Sequence, residues 1–189
     1  MEFYTSDLHL GHENILAIRP MFHTIEEMND ALIANWNKKV HKNDTVYILG
    51  DFSYRSKAPV EHYLERLKGK KILILGNHDP DWLKQAQYDQ LSHYFVSIES
   101  MLTFKRNKVQ TTLCHYPMLE WPGSRYASQG VSYLIHGHIH NIRNEIFEYI
   151  RDHQPTALNC GVDVNNYEPV TLEELVTNNA VWYGRASAE

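Results

Sequence analysis

The sequence predicts an α/β fold in which a largely parallel or mixed β-sheet is covered by helices on both faces. Short runs rich in β-branched and aromatic residues alternate with segments that carry apolar side chains at helical spacing. Most of these runs lead directly into clusters of Asp, Asn, Gly and His. In such folds the ligand-binding groups collect beyond the carboxyl ends of the strands, so the polar clusters are expected at one edge of a sheet.

The predicted strands are short apolar runs bounded by polar or turn residues. Together with the helices between them they give the order β-α-β-α-β. Five runs follow this pattern: Phe3–Ser6, Thr45–Leu49, Lys71–Leu75, Val109–Cys114 and Ser132–Ile135. Two weaker candidates are Tyr94–Ile98 and Ala180–Tyr183.

The first predicted helix begins at a capping box, Thr24 to Glu27. Apolar residues then recur at helical spacing as far as Val40, which indicates one amphipathic helix. Three more helices are predicted from capping and stop signals. They are Val60–Lys68, which is closed by Gly69, then Pro80–Tyr88, and a helix that starts at a second capping box, Thr171–Glu174.

Length and composition predict a single domain over residues 1–189. No apolar run approaches the ~20 residues of a membrane helix, and the amino terminus does not resemble a secretory signal, so a cytoplasmic protein is expected. Cys114 and Cys160 stand singly, which favours reduced thiols over a disulfide or a cysteine metal site. The net charge is 18 − 23 = −5, which makes extended nucleic acid a poor candidate partner.

The 12 histidines are the unusual feature of the composition, because histidine is a common metal ligand. Asp7 and His9, and likewise His138 and His140, would point to one side if each segment stayed extended. Carboxylate, amide and imidazole ligands without thiolate suit Mn, Fe, Ni, Co or Zn in an open, reactive site. The polar clusters, in chain order, are Asp7-Leu8-His9-Leu10-Gly11-His12, Gly50-Asp51, Gly76-Asn77-His78-Asp79, Cys114-His115 and Gly137-His138-Ile139-His140.

The set D-x-H, GD, GNHD, H and GHxH, in this order, resembles the signature of the calcineurin-like metallophosphoesterase superfamily. The matching residues run from Asp7 to His140, and the segment Asn159–Asp163 also resembles a turn found in small single-domain bacterial members. The resemblance implies a four-layered α/β/β/α sandwich of two mixed sheets flanked by helices.

The resemblance also implies two divalent metal ions bridged by Asp51. It implies that His78 lies near the leaving-group or phosphoryl oxygens and that Asp79 orients His78. The implied first-metal ligands are Asp7, His9, Asp51 and His140, and those of the second metal are Asp51, Asn77, His115 and His138.

The implied activity is hydrolysis of a small phosphoester by a metal-bound hydroxide. Phosphodiesters are favoured over phosphomonoesters, and a nucleotide is one candidate substrate. Two other functions stay open: a binding scaffold without catalysis, and a nuclease. The scaffold is disfavoured because His78 and all seven implied ligands are present, and the nuclease because it needs a basic surface track.

Possible substrate contacts are His12, Arg55, Arg125 and Arg143. His12 supports the first metal, contacts phosphate, or caps a helix that begins near Glu13. The segment 116–130 is rich in aromatic residues and follows His115. Either an aromatic ring there stacks on a nucleobase while Arg125 binds phosphate, or the loop packs on its own aromatics.

Overall fold

The structure, a computed structural model, describes residues 1–86 and 91–185 and contains two four-stranded sheets. The first sheet has the order β1-β2-β3-β4 with parallel pairing throughout. The second has the order β5-β6-β7-β8, in which only the β5–β6 pair is antiparallel. The strands are β1 Glu2–Thr5, β2 Thr45–Leu49, β3 Lys70–Ile74, β4 Phe95–Glu99, β5 Leu102–Arg106, β6 Val109–Leu113, β7 Ser132–His136 and β8 Ala157–Asn159.

Helices flank both sheets. The α-helices are α1 Ile25–Lys39, α2 Glu61–Leu64, α3 Asp79–Gln85, α4 Glu145–His153 and α5 Leu172–Trp182, and 3₁₀ segments cover Glu13–Ile18 and Ser124–Gln129.

The alternation of side chains along the strands builds the layers. Val46 and Ile48 of β2 pack with the core under α1, whereas Tyr47 and Leu49 pack in the core between the two sheets. On the far side of the second sheet, Leu134 packs with aromatic and aliphatic residues of α4 and the end of α5. The predicted α/β fold of two sheets flanked by helices is therefore confirmed. The resemblance implied that both sheets are mixed, but the described strands of the first sheet pair in parallel and only the second sheet is mixed.

Most predicted elements are present, with shifted ends. Thr24 caps α1 by accepting a hydrogen bond from the Glu27 amide, but the Glu27 carboxylate accepts from the His23 amide instead of closing the capping box on Thr24. α2 is much shorter than the predicted Val60–Lys68. α3 begins at Asp79 and ends at Gln85, and the predicted end at Tyr88 lies outside the described residues.

The strand predicted at Ala180–Tyr183 is wrong, because α5 runs through Trp182. Its capping box is complete, and Leu175 and Asn179 are buried one turn apart. A short apolar run cannot by itself be distinguished from a buried helical segment, so the helix start signal at Thr171 is the better guide.

The carboxyl ends of the two sheets are joined through β1. The Ser6 amide donates to the Cys160 carbonyl at 3.1 Å, and the Ser6 carbonyl accepts from the Val162 amide at 3.1 Å. Tyr4 and Val170 exchange two further backbone hydrogen bonds. The segment after β8 thus lies beside the end of β1, so polar residues from both sheets meet there.

Two further predictions concern membrane-spanning helices and the state of the cysteines. Within the portions of the chain that the structure describes, no helix has the length and apolar character needed to cross a membrane. Cys114 and Cys160 are free thiols.

Candidate metal centre

The candidate metal ligands stand just after the strands, on tight turns. Five of them have left-handed backbone: Asp7 (φ 57°), His9 (50°), Asp51 (53°), His138 (71°) and His140 (48°). Asp7–His9 and His138–His140 are therefore not extended, so the condition for each pair to point to one side as on a strand is not met. Such conformations cost about 1–3 kcal/mol each in non-glycine residues and cluster at functional sites, where surrounding structure enforces them.

One group of candidate ligands is Asp7, His9 and His140, whose ligand atoms all lie within 4.8 Å of one another. The imidazole rings of His9 and His140 are stacked with centroids 5.1 Å apart. His140 Nε2 lies 3.9 Å from Asp7 Oδ1. These three side chains therefore converge on a single point.

A second group surrounds Asp51. Asp7, Asp51 and His115 have ligand atoms within 4.8 Å of one another. Asp51 Oδ2 is 3.6 Å from His9 Nε2 on one side and 3.6 Å from His115 Nε2 on the other. Asn77 Oδ1 is 3.1 Å from His115 Nε2, so Asp51 lies between the first group and the His115–Asn77 pair.

His138 completes the cluster beside His115. The two rings are edge to face with centroids 5.1 Å apart. The His138 amide donates to both carboxylate oxygens of Asp7, at 3.1 and 3.0 Å. The structure thus brings together all seven candidate ligands predicted from the sequence.

The donor set fits divalent cations. Both ring nitrogens of His9 are buried and have no hydrogen-bond partner among the described residues. Burial, followed by the neighbouring His140 and Arg19, lowers the pKa of His9, so its imidazole is neutral, the form that binds metals. Burial, followed by His115, also lowers the pKa of His138. An unpartnered neutral imidazole beside two carboxylates is suited to a cation and poorly suited to an apolar core.

Two glycines allow the close approach of the strands. A Cβ atom at Gly50 (φ 83°) would lie 2.5 Å from His115 Nδ1. A Cβ atom at Gly137 would lie 2.3 Å from Ser6 Oγ and 2.6 Å from Asp7 Oδ2. Side chains at either position would displace a candidate ligand.

Asp79 holds the turns of the site. Its buried carboxylate accepts hydrogen bonds from the amides of Asp51 (3.0 Å), Phe52 (3.0 Å) and Gly76 (2.7 Å), and from the Trp82 indole (2.9 Å). Burial raises its pKa. Within residues 1–86 and 91–185, no hydrogen bond joins Asp79 to the His78 ring, so the expected direct orientation of His78 is corrected to a role in joining the loops after β2 and β3.

His78 lies at the mouth of the cluster. Its amide donates to Asp51 Oδ1 at 2.9 Å, and its ring Nε2 is 3.9 Å from Asp51 Oδ2. The side chain is 29% exposed, in contrast with 3% for Asp51. The Tyr54 ring packs on it with centroids 3.9 Å apart. His78 can therefore meet both the buried cluster and a ligand arriving from solvent.

His12 and Arg55 gather around Tyr54. His12 is the N-cap residue of the 3₁₀ segment Glu13–Ile18, as one of the alternatives predicted, but its side chain makes no capping hydrogen bond. Its ring lies 5.3 Å from the His9 ring and 4.9 Å from Tyr54, and the Arg55 guanidinium lies 5.0 Å from the Tyr54 ring. Both side chains line one concavity of about 200 Å³.

Arg125 and Arg143 contact aromatic rings elsewhere. The Arg125 guanidinium lies over its neighbour Tyr126, and that of Arg143 lies 4.6 Å from the Trp182 ring on the outer side of the second sheet. Neither contact is with a candidate ligand.

The loop after His115 carries one buried and one exposed aromatic side chain. Trp121 is buried and donates to Ser132 Oγ, which is the packing alternative. Tyr116, in contrast, is 44% exposed, and its ring lies 4.8 Å from His138 and 5.0 Å from His115. An aromatic side chain therefore does border the cluster.

Sequence reasoning missed several residues of this site, including Arg19, Tyr54 and Trp82. Arg19 carries no local signal, since its contacts depend on residues far along the chain. Asp163 was noticed only as the end of the Asn159–Asp163 segment, and the hydrogen bond from His140 Nδ1 to Asp163 Oδ2 at 2.9 Å explains its place there.

The fold and the cluster together define an α/β protein with a candidate site for divalent cations. The family model described as the calcineurin-like phosphoesterase superfamily domain matches residues 3–167. The chain belongs to this superfamily.

The chain is also similar to three other proteins. An uncharacterised protein of Methanocaldococcus jannaschii is 32% identical over 178 residues, covering 92% of this chain and 88% of that protein. The Gene 66 protein of Mycobacterium phage L5 is 32% identical over 163 residues, covering 74% and 77%. The crystal structure of a protein of unknown function from Aquifex aeolicus superposes with a TM-score of 0.69 at 27% identity, covering 94% of this chain and 98% of that one.

Proposed function

We propose that the protein is a dinuclear metal-dependent phosphoesterase that hydrolyses a small phosphodiester, or a phosphomonoester, with a metal-activated water. The observation that carries the proposal is the position of Asp51. Its Oδ2 atom lies 3.6 Å from Nε2 of both His9 and His115, where one carboxylate oxygen can serve two cations. Membership of the phosphoesterase superfamily and the grouping of candidate ligands support the same conclusion.

The proposed ligands divide into two sets that share Asp51. Bound there, two divalent ions, chosen from Mn, Fe, Ni, Co and Zn, would lower the pKa of a water molecule and offset the charge of phosphoryl oxygens. The first set is Asp7, His9, Asp51 and His140, and the second is Asp51, Asn77, His115 and His138.

His78 is the proposed proton donor to the leaving group, or the donor of a hydrogen bond to a phosphoryl oxygen. Its amide is anchored on Asp51, so the backbone position is set by the cluster itself. Its ring is partly exposed and packed on Tyr54, so it is held while it still faces solvent.

The proposed substrate contacts are Tyr116, His12 and Arg55. Tyr116 offers an exposed ring beside His138 for a planar group such as a nucleobase. Arg55 and His12 offer a cation and an imidazole for phosphate oxygens beside Tyr54, the residue that packs on His78. The contacts of Arg125 and Arg143 give these two residues no comparable support.

The test is hydrolysis of bis-p-nitrophenyl phosphate and p-nitrophenyl phosphate by chelator-stripped protein, with Mn, Ni, Co, Zn or Mg added back singly. Activity should return with a metal and should be greater on the diester. His78→Ala should lower turnover by about 10²–10⁴-fold with unchanged metal content, because general acid catalysis commonly contributes that much.

The matched control is His23→Ala, which removes an exposed histidine that is not part of the cluster. It should leave turnover unchanged. A folded protein that binds two ions and hydrolyses neither ester with any metal would overturn the proposal and favour a binding scaffold.

A further inference from the structure

Arg19 is completely buried next to the candidate metal centre. Its Nη1 atom donates to the Leu8 carbonyl at 2.9 Å, and its Nη2 atom donates to the Asp7 carbonyl at 2.6 Å. These two carbonyls belong to the turn that carries Asp7 and His9, both of which have left-handed backbone. One guanidinium therefore holds the turn that presents two candidate ligands.

The same guanidinium also holds Asp163. Arg19 Nε donates to Asp163 Oδ1 at 2.7 Å, and Nη2 donates to Oδ2 at 3.0 Å. Both side chains are fully buried. A paired contact of this kind fixes the plane of the carboxylate as well as its position.

Asp163 in turn holds the ring of His140. His140 Nδ1 lies 2.9 Å from Asp163 Oδ2. The Asp163 carboxylate thus accepts from Arg19 and from the His140 ring at the same time. Because Nδ1 is engaged with this carboxylate, Nε2 is the ring nitrogen that faces the site, 3.9 Å from Asp7 Oδ1.

In the second proposed ligand set, the ring of His115 is held by a different kind of group. His115 Nδ1 donates to the Leu49 carbonyl at 2.7 Å, so a neutral backbone group sets the orientation of this ring.

A buried ion pair is by itself weak evidence for stability, because removing both charges from water offsets much of their attraction. The Arg19–Asp163 pair, in contrast, contacts two of the four proposed first-metal ligands, Asp7 through its carbonyl and His140 through its ring, which indicates a role in the site.

We propose that Arg19 and Asp163 are positioning residues that set the geometry of the first metal site, and that the second site does not depend on them. Arg19 holds the Asp7–His9 turn through two carbonyls, and Asp163 keeps His140 Nε2 directed at the site. The inference rests on the two ligand sets of the proposed function, but it concerns metal affinity and not hydrolysis.

The test is a calorimetric titration of chelator-stripped protein with Mn²⁺, compared between wild type and Asp163→Asn. One of the two sites should lose about 10–100-fold in affinity, as is usual when a group that orients a ligand is removed, and the other should be unchanged. Arg19→Lys keeps the charge but cannot make all four contacts, so it should weaken the same site.

Asp44→Asn is the matched control. Asp44 is a carboxylate paired with a cation, the Met1 amino group, just before β2 at the opposite edge of the same sheet. This variant should bind both ions as the wild type does. Should Asp163→Asn prove unstable, the double variant Arg19→Met/Asp163→Asn removes both buried charges together and gives a folded reference for the same titration.

A spectroscopic readout separates positioning from a general structural role. In ¹⁵N-labelled, metal-free protein, His140 should show hydrogen on Nδ1, and Asp163→Asn should reduce this tautomer. Unchanged affinity at both sites, or equal weakening of both, would overturn the positioning role whether or not the wild type hydrolyses an ester. Wild-type protein that binds no ion would overturn it together with the proposed ligand sets.

Discussion

Buried polar groups differ between the two ends of the strands in the first sheet. We call the end where the strands begin the amino edge and the end where they finish the carboxyl edge. At the amino edge, the Asp44 carboxylate accepts from the Met1 amino group at 2.5 Å and from the His41 amide at 2.8 Å. Lys71 is buried there, and its Nζ atom donates to the carbonyls of Leu67 and Gly69. The charged groups of this edge find partners within the chain.

At the carboxyl edge, several buried polar groups have no such partner within the described residues. Asp7 and Asp51, both acidic, lie close together, and the neighbouring His9 has no hydrogen-bond partner within the described residues. The turns that carry them have left-handed backbone. The amino edge therefore stabilises the chain by itself, whereas the carboxyl edge has the charge and geometry suited to a cation, at some cost to the stability of the metal-free protein.

The largest expected effect comes from Asp51→Asn at the carboxyl edge. Hydrolysis should fall by roughly 10³-fold or more, because losing a shared metal ligand removes several kcal/mol of charge stabilisation. The metal-free variant should nevertheless unfold within about 4 °C of wild type, a shift of about 1 kcal/mol for a protein of this size. The asparagine keeps an oxygen for the His78 amide and removes the repulsion with Asp7.

Activity and calorimetric unfolding of the metal-free proteins provide the check. A large drop in the unfolding temperature of Asp51→Asn would mean that this carboxylate stabilises the chain as Asp44 does, and the contrast between the edges would be lost.

A smaller effect is expected from Gly137→Ala. The added methyl group would stand 2.6 Å from Asp7 Oδ2 and 2.3 Å from Ser6 Oγ, so Asp7 must move. Displacing a group of the site by about 1 Å commonly costs on the order of 10²-fold in rate. The matched change is Gly130→Ala, where a Cβ atom meets nothing within 4 Å although φ is 65°. Steady-state kinetics of the two variants should differ by that factor, and equal rates would show that Asp7 is not held at this contact.

The smallest effect is expected at the amino edge, as a pH dependence of stability. Burial lowers the pKa of Lys71 to about 8, from an ordinary value of 10.5. As the pH rises above 8, the folded protein loses this proton before the unfolded chain does. The unfolding free energy should therefore gain about 1 kcal/mol for each pH unit between these two values.

The measurement is urea unfolding of wild type and Lys71→Met at pH 8 and pH 9.5. The difference in unfolding free energy between the two proteins should change by this increment, with metal-restored activity unaffected at pH 8. A constant difference would show that Lys71 is not desolvated, and that the amino edge tolerates its charge by exposure to solvent.

The strands and candidate ligands were predictable because their signals are local. Each strand that feeds the cluster is a short apolar run that ends in Asp, Asn or His, and parallel pairing brings those ends to one edge. β5 and β8 were not predicted. β5 is largely exposed, and β8 is buried but has only three residues, so neither shows an apolar run long enough to predict a strand.

The sequence failed to predict contacts in two situations. In one, residues adjacent in sequence point in different directions because an element begins between them; in the other, the interacting residues lie far apart along the chain. Asp79 follows His78 directly, yet it is the first residue of α3, and its carboxylate turns toward the amides of the β2 and β3 loops. Arg19 and Asp163 are 144 residues apart, so no local pattern relates them. Buried charge pairs of this kind depend on the completed fold.

The pairing of β1 with Val170 has a consequence for synthesis on the ribosome. β1 leaves the exit tunnel well before the strands of the second sheet and before the residues that bond its free edge, Cys160 to Val170. Until then the inner faces of Tyr4 and Tyr47 lack the second sheet that covers them in the folded protein. The nascent chain therefore carries an uncovered aromatic surface until the second sheet has been synthesised, and exposed apolar surface of this kind promotes aggregation.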